Sequence, residues 1–401
     1  MSNKTFSITN VTAVLPNSLL DDATITVEDG VIVDISERGE AAQDSLNGGG
    51  SICIPGIIDT HSDGYEQELR PRPNAYLPSN FALRSFESRV RAAGITTMFH
   101  GIGFENDAKW GRTVEMANEL CDTIIDYSDS LTALIDHHIL YRLDARDPDG
   151  YPALIARFSQ ARNTELSRVP LISFEDHTPG QGQYTDRTAL ERYIIGNRKV
   201  SEDEARRIVD ETIRERDALI GNREKALPWL TEHASLGTIR LMAHDPATGA
   251  DVREAVDWSA SIAEFPTTNE AARLAKESGL RTVCGGPNVL RGQSHSGNVS
   301  AQELIAQGLC DGLASDYLPT SLLGSVAALV ERKVCSLPEA IRLVTSGPAK
   351  TVGLEDRGEI CIGKRADLAL IRFHGNLPSV LGVLTGDSEN AERLSLIGAS
   401  S

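Results

Sequence analysis

The amino-acid sequence predicts an α/β chain: a (β/α)8 TIM-type barrel with a small β-sandwich domain built from its two ends. Three observations carry that expectation. Apolar runs alternate with amphipathic stretches from residue 52 to residue 346, and there are eight such runs, the number a closed barrel requires. Nearly every run ends in polar residues, as strands do on the catalytic face of a barrel. Residues 1–51 and 347–401 read as short strands that cannot bury a sheet face alone, so the two ends are expected to pair.

Composition narrows the class. The chain has 401 residues, 40% of them apolar, and a mean hydropathy of −0.21, which suits a soluble globular protein with a large core. No run approaches the roughly 18 apolar residues of a membrane span. The N-terminus carries no apolar signal core, so a cytoplasmic protein is expected, with no membrane partner. A formal net charge of −18 repels nucleic acid. The six cysteines (Cys53, Cys121, Cys284, Cys310, Cys335, Cys361) are scattered without a CxxC pair, which argues against a zinc module or a disulfide framework. Oligomeric state, including a homo-oligomer, is left open.

Taken in order, Phe6, Ile8, Val11, Ala13 and Leu15 alternate loosely, and Thr24–Val27 and Val31–Ile35 flank Glu28-Asp29-Gly30, a hairpin signal. Asn47-Gly48-Gly49-Gly50 reads as a flexible joint. The eight barrel strands are expected at Ile54–Asp59, Ile95–Phe99, Leu131–Leu143, Val169–Phe174, Ile239–Ala243, Ile262–Phe265, Thr282–Cys284 and Gly312–Ala314. Helical stretches such as Ala82–Ala93 and Glu270–Ser278 separate them. An oversized connection, about residues 178–236, holds the charged run Ser201–Asn222. It opens on a sequence resembling a capping box, Ser201-Glu202-Asp203-Glu204, and reads equally as a lid or as a solvated helix. Beyond the barrel, Leu337–Thr345 reads as a helix. Gly358–Ile360 and Ala366–Ile371 read as strands, and Asp387–Ser401 as a polar end.

The strand ends carry the chemistry. His61 and Asp63 are two residues apart, so on a strand they point to one side. With Asp144, His177, His244 and Asp316 they form a set of imidazoles and carboxylates suited to a divalent metal, zinc or manganese, one or two ions. Any one of them could instead be a satisfied structural group. Asp316 could act as general base, or cap a turn or helix. His100, His137, His233 and His374 are read as structural, with His137 left open because it lies on the strand that leads to Asp144. Basic residues gather near the strand ends: Arg70 and Arg72, Arg142, Arg187, Lys199 and Arg291. In so acidic a chain they suggest a small phosphorylated anion as substrate, although surface ion pairs would explain any one of them. The glycine-rich run Asn288–Asn298 could turn backbone N–H groups toward such an anion. Gly358–Arg365 nearly matches a P-loop, but it lacks the Ser or Thr for Mg²⁺, and a strand is expected after it.

Together these segments resemble the amidohydrolase superfamily. Pro55-Gly56-Ile57-Ile58-Asp59-Thr60-His61 and Gly363-Lys364-Arg365-Ala366-Asp367-Leu368 are similar to its opening and closing flanks. Within it the chain looks like the PhnM family, the hydrolase of the carbon–phosphorus-lyase pathway. The carrying segments are His61-Ser62-Asp63 with Arg72-Pro73, Asp176-His177-Thr178-Pro179-Gly180-Gln181, Ala243-His244-Asp245 and Ala263–Thr268. Gly286–Gly292, Ser294–Asn298 and Ser315-Asp316-Tyr317 complete them. The resemblance implies a divalent metal centre in a distorted barrel. It also implies hydrolysis of α-D-ribose 1-methylphosphonate 5-triphosphate to the 5-phosphate and pyrophosphate. Three departures stand out: Asp63 replaces the second histidine of the usual His-x-His, no lysine ends the fourth strand, for which Asp144 is the expected replacement, and Glu264 ends the sixth strand, where relatives often have histidine. Substrate contacts are expected from Arg72, Arg142, Glu264, Asn288, Arg291 and His295, and proton transfer from Asp316. A hydrolase of C–N bonds (a cyclic amidase or a sugar N-deacetylase) and a non-catalytic binding subunit are the alternatives.

Overall fold

A computed structural model describes residues 5–72, 74–108, 111–130, 132–160, 168–182, 187–294 and 297–386. His295, Pro73 and the tail from 387 lie outside the described residues.

The terminal strands are β1 (Thr5–Val14), β2 (Leu19–Glu28), β3 (Val31–Glu37) and β4 (Asp44–Pro55). The barrel strands follow as β5 (Ile57–Ser62), β6 (Ile95–Phe104), β7 (Asp136–Asp144), β8 (Leu171–Glu175), β9 (Arg240–His244), β10 (Ile262–Glu264), β11 (Arg281–Gly285) and β12 (Gly312–Ala314). β13 (Leu368–His374) and β14 (Leu377–Leu384) close the chain. Strands β5 to β12 form one eight-stranded sheet in sequence order, the (β/α)8 barrel that the alternating apolar runs predict.

The chain divides into two compact units. The first comprises residues 1–100, 127–138 and 311–401. Its terminal segments meet in one six-stranded mixed sheet of order β14-β13-β4-β1-β2-β3. The two ends thus pair as expected, through β13 antiparallel to β4. Ile8, Ile25, Ile32, Cys53, Leu368 and Leu370 pack into its core, which removes the apolar faces that neither end could bury alone. The hairpin falls where the sequence places it, on Asp29 (φ 47) and Gly30 (φ 79).

Several local expectations are corrected. Asn47–Gly50 is no joint: it lies inside β4, where Gly49 (φ 60) and Gly50 (φ 71) make a bulge. The register with β1 accordingly jumps from Thr9↔Asn47 to Val11↔Ser51. Residues 54 and 55 belong to β4, so the first barrel strand starts later, at Ile57. Only Gly56 separates the two strands, and a Cβ there would meet Thr96 Oγ1 at 2.1 Å. Gly358–Ile360 forms no strand. The helix expected over 337–345 ends early, at Arg342, and a separate helix, Ser346–Val352, follows it.

Arg357 is the electrostatic centre of this unit. Buried, it reaches Asp136 (2.6 Å), Asp356 (2.9 Å), Thr97 (3.1 Å) and Asp367 (3.6 Å). It thereby ties the segment ahead of β13 to the starts of β6 and β7.

The second unit comprises residues 101–126 and 139–310. Its βα connections after β9 and β10 are short and capped. Thr248 forms a capping box on the helix Gly249–Asp257, and Thr268 caps Asn269–Glu277. The insertion is three helices, Arg187–Arg198, Glu202–Asp217 and Ile220–Ser235. Ser201 caps the second by accepting from Glu204 N (3.2 Å). Arg187 bonds Glu191 and Asp210, so this basic residue joins two insertion helices.

Candidate functional site

In the first unit, β5 is wholly buried and delivers His61 at its end, with Asp63 two residues on. Asp63 then caps the helix Gly64–Leu69 by position. The closing strand meets this point: Ser62 bridges Asp316, Asp316 N donates to His61 O (2.9 Å) and Asp63 N to Asp316 O (2.8 Å). Asp316 holds a left-handed backbone (φ 56), a conformation that costs a non-glycine residue about 1–3 kcal/mol and clusters at functional sites. Ligand atoms of His61, Asp63 and Asp316 all lie within 4.8 Å of one another, and His61 Nε2 stands 3.4 Å from Asp63 Oδ1. Behind them, buried Asp59 accepts from His61 N (3.3 Å) and Ser315 N (3.0 Å). Burial pushes its carboxyl up to about 6 against those bonds. One imidazole and two carboxylates match a hard or borderline dication in donor type and charge.

The second unit carries a second group, Glu175, His177 and His244, whose ligand atoms also fall within 4.8 Å. Glu175 was not among the residues expected from sequence. Arg142 grips it with two bonds, Nε to Oε1 and Nη2 to Oε2, both 2.9 Å. Burial works against its charge, yet Arg142, His244 and His177 hold its carboxyl well below the usual range. His244 Nδ1 bonds Glu264 Oε2 (2.7 Å), which also accepts from Ser173 Oγ (2.7 Å). Burial opposes the imidazolium of His244, but Asp245, Glu175 and Glu264 hold it at about 9. His177 is pushed down to about 3 by burial; Glu175 opposes that shift, and His244, Arg142 and Arg216 add to it. Asp245 (φ 52) and Phe265 (φ 53), one residue beyond β9 and β10, repeat the left-handed turn seen at Asp316.

The other expected residues are placed differently. Asp144 stands outside both groups. Arg216, from the insertion helix Glu202–Asp217, holds both its oxygens (3.1 and 2.9 Å), and Arg146 N donates to it at 2.7 Å. Arg142 is spent on Glu175, and Glu264 on His244 and Ser173. Asn288 clamps the loop that follows its helix, donating to Val299 O and accepting from Ala301 N. Arg72 and Arg291 are exposed. Sequence reasoning missed Arg112, Arg146 and Arg216, which pair with Glu105 (2.7 Å), Asp176 (2.8 Å) and Asp144 (2.9 Å). Glu175 was within reach: Glu175 and His177 repeat the two-residue spacing of His61 and Asp63. Arg216 was not, because nothing separates it from its neighbours on a charged helix.

Two of the histidines read as structural, His100 and His137, build a relay in the first unit. Glu87 accepts from Tyr127 Oη (2.6 Å) and pairs with His137 Nε2 (3.0 Å), and His137 Nδ1 meets His100 Nε2 at 2.8 Å. With one proton per ring, His137 donates to Glu87 and accepts from His100. His100 Nδ1 then keeps a buried lone pair with no hydrogen-bond partner among the described residues. His100 pairs with Ser62, and so lies on the opposite side of the strands from His61.

Comparison with known proteins agrees with this architecture. The profile of the Amidohydrolase family matches residues 221–379. The chain is 31% identical over 376 residues to the α-D-ribose 1-methylphosphonate 5-triphosphate diphosphatase of Escherichia coli K12, covering 92% of this chain and 96% of that protein. It is 23% identical to an imidazolonepropionase of Mycolicibacterium smegmatis, over 89% and 86% of the two chains. Among solved structures, an enamidase superposes with a TM-score of 0.60 at 14% identity, over 96% and 95% of the two chains. The N-acetylglucosamine-6-phosphate deacetylase of Pasteurella multocida does so at 0.55 and 14%, over 96% and 98%.

Proposed function

This chain belongs to the amidohydrolase superfamily, and from that premise we propose that it hydrolyses α-D-ribose 1-methylphosphonate 5-triphosphate to the 5-phosphate and pyrophosphate. The observation that carries the proposal is the likeness to the E. coli diphosphatase, which runs along 92% of this chain. A divalent ion, zinc or manganese, held by His61, Asp63 and Asp316 would act as a Lewis acid toward a phosphoryl oxygen. Asp316 takes the proton of the attacking water. Water oxygen bonds to phosphorus on either flank of the α–β anhydride, the P–O bond of that anhydride breaks, and the leaving group takes the electron pair. The left-handed backbone at Asp316, locked from both sides by β5, keeps its carboxylate in place through that transfer. The protein works in the cytoplasm on a small phosphorylated anion.

A second reading has an observation in its favour. Arg112, Arg142, Arg146 and Arg216 are all occupied by carboxylates, so none of the four stands ready for a triphosphate. A C–N substrate needs no such cradle. Purified protein supplied with Zn²⁺ or Mn²⁺ should release pyrophosphate from a ribosyl triphosphate and leave a panel of cyclic amides and N-acetyl sugars intact. Turnover of the panel without pyrophosphate release would replace the first reading by the second.

A further inference from the structure

Of the four arginines in the second unit that carboxylates hold, Arg216 is held differently. Arg142 grips Glu175 with two nitrogens, one to each oxygen, both at 2.9 Å. Arg216 reaches both oxygens of Asp144 with one nitrogen, Nη2, at 3.1 and 2.9 Å. That is a poorer geometry than a two-nitrogen fork. It leaves Nη1 with no hydrogen bond among the described residues. The rest of the side chain is aimed: Nε donates to Thr178 Oγ1 (2.8 Å), and that hydroxyl donates to Asp176 Oδ1 (2.6 Å). Asp176 and Thr178 stand on either side of His177, and Asp144 and Glu175 end the paired strands β7 and β8. Arg216 thus stands at the C-terminal ends of barrel strands, the face on which such barrels bind substrates.

Arg216 is also the one of the four carried by the insertion, on a helix that buries only Ala205 and Val209 among its described residues. Its side chain is 22% exposed, against 9% for Arg142 and 4% for Arg146. Asp144 has partners of its own, because Oδ1 accepts from Arg146 N (2.7 Å) and Asp147 N (3.1 Å). The backbone around Arg216 is tied separately. Arg146 Nη1 bonds the Arg216 carbonyl (3.2 Å), and Asn222 Nδ2 bonds the Arg146 carbonyl (3.0 Å). The guanidinium can therefore change partner while its backbone stays where it is.

We propose that Arg216 is a substrate-binding residue held in reserve: Asp144 occupies it in the free protein, and the polyphosphate of a substrate takes it over. A phosphate group presents several charged oxygens, two of which suit the paired Nη1 and Nη2 donors that Asp144 engages only in part. The proposal rests on the reading of the substrate as a triphosphate. It adds the residue that recognises that group and the carboxylate that competes for it.

The test titrates inorganic triphosphate into the full-length protein by calorimetry, in chelator so that no metal bridges the anion. Alongside it, KM and kcat for a ribosyl triphosphate are measured by pyrophosphate release in Mn²⁺. Arg216→Met should weaken triphosphate binding at least tenfold, and should raise KM by a larger factor than it lowers kcat. Asp144→Asn removes the competing charge and should tighten binding at least threefold. A pair that only fastened the insertion would give the opposite, since losing either partner loosens it. Arg187→Met cuts the bonds to Glu191 and Asp210 within the insertion and should leave the affinity within twofold. Unchanged or weaker binding in Asp144→Asn would overturn the proposal, as would an equal loss in Arg187→Met or no binding to the unaltered protein. Any of these together with pyrophosphate release leaves the triphosphate reading standing. An unaltered protein that releases no pyrophosphate from the ribosyl triphosphate loses that reading, and the proposal with it. Asp144→Asn and Arg187→Met decide the matter even where Arg216→Met fails to fold.

Discussion

Arg216 offers the sharpest test of how the insertion is held. Its guanidinium makes two bonds to Asp144 (3.1 and 2.9 Å) and one to Thr178 Oγ1 (2.8 Å), and lies 3.5 Å from Asp176. Arg216→Ala leaves Asp144, only 7% exposed, without its counter-charge. Removing one member of a buried pair costs about 3–5 kcal/mol. Here the backbone N–H groups of Arg146 and Asp147 still reach Asp144 (2.7 and 3.1 Å), and the Arg216 side chain is itself 22% exposed. A loss of roughly 2–3 kcal/mol is therefore expected. Asp144→Asn removes the stranded charge, so the double variant should recover much of it, with a coupling of about 2 kcal/mol in the cycle. Urea unfolding of the four proteins measures the cycle, and limited proteolysis within residues 187–235 reports whether the insertion loosens. Additivity within about 0.5 kcal/mol would refute the pairing as the element that fastens the insertion.

Three further outcomes are expected. Glu264→Gln should disturb His244 through the Nδ1 bond, lowering the metal-free imidazolium pKa from about 9, as NMR titration of the ring would show. In chelator the metal-free protein should melt lower as pH rises from 6.5 to 9. The contribution of His244, raised from 6.5 to about 9, is complete below 6.5 and is lost as pH rises through 9. That of His177, lowered from 6.5 to about 3, is present above 6.5 and is lost as pH falls toward 3. A melting temperature that climbs steadily to pH 9 in chelator would contradict this. Arg357→Met strands the carboxylates of Asp136 and Asp367 and should cost about 3–5 kcal/mol by urea midpoint, with no change in the pKa of His244.

The barrel was legible because a parallel sheet buried on both faces needs apolar runs, and helices must separate them; the eight runs survive in the structure with shifted ends. The shifts have causes. Ile54 and Pro55 are as apolar as Ile57, and pairing with β13, hundreds of residues away, decides which sheet they join. His61, Asp63, His177, His244 and Asp316 were legible as polar residues at strand ends, and the structure gathers them into groups that could hold a metal. The carboxylate partners of Arg112, Arg142, Arg146 and Arg216 were not legible, because a sequence shows a charge but not its counter-charge. Arg142 meets Glu175 only across the register of β7 and β8. Asp144, taken for a ligand, is held by a residue 72 positions later that only the folded insertion brings near.

Gly56 has a consequence for the order in which the molecule can mature. β4 and β5 run into one another through this one residue, and Gly56 N is bonded to Asp367 O (2.7 Å). β4 lies between β1 and β13, so one of its neighbours is synthesised at the start of the chain and the other near its end. During synthesis β1 and β4 can pair early, but β13 emerges from the ribosome only after all eight barrel strands. Until then the chain just ahead of His61 lacks one of its anchors, and so does the register of β5. Any ion that the proposed site at His61, Asp63 and Asp316 takes up would thus be acquired late in biogenesis, following the arrival of residues 311–374 rather than accompanying the growth of the barrel.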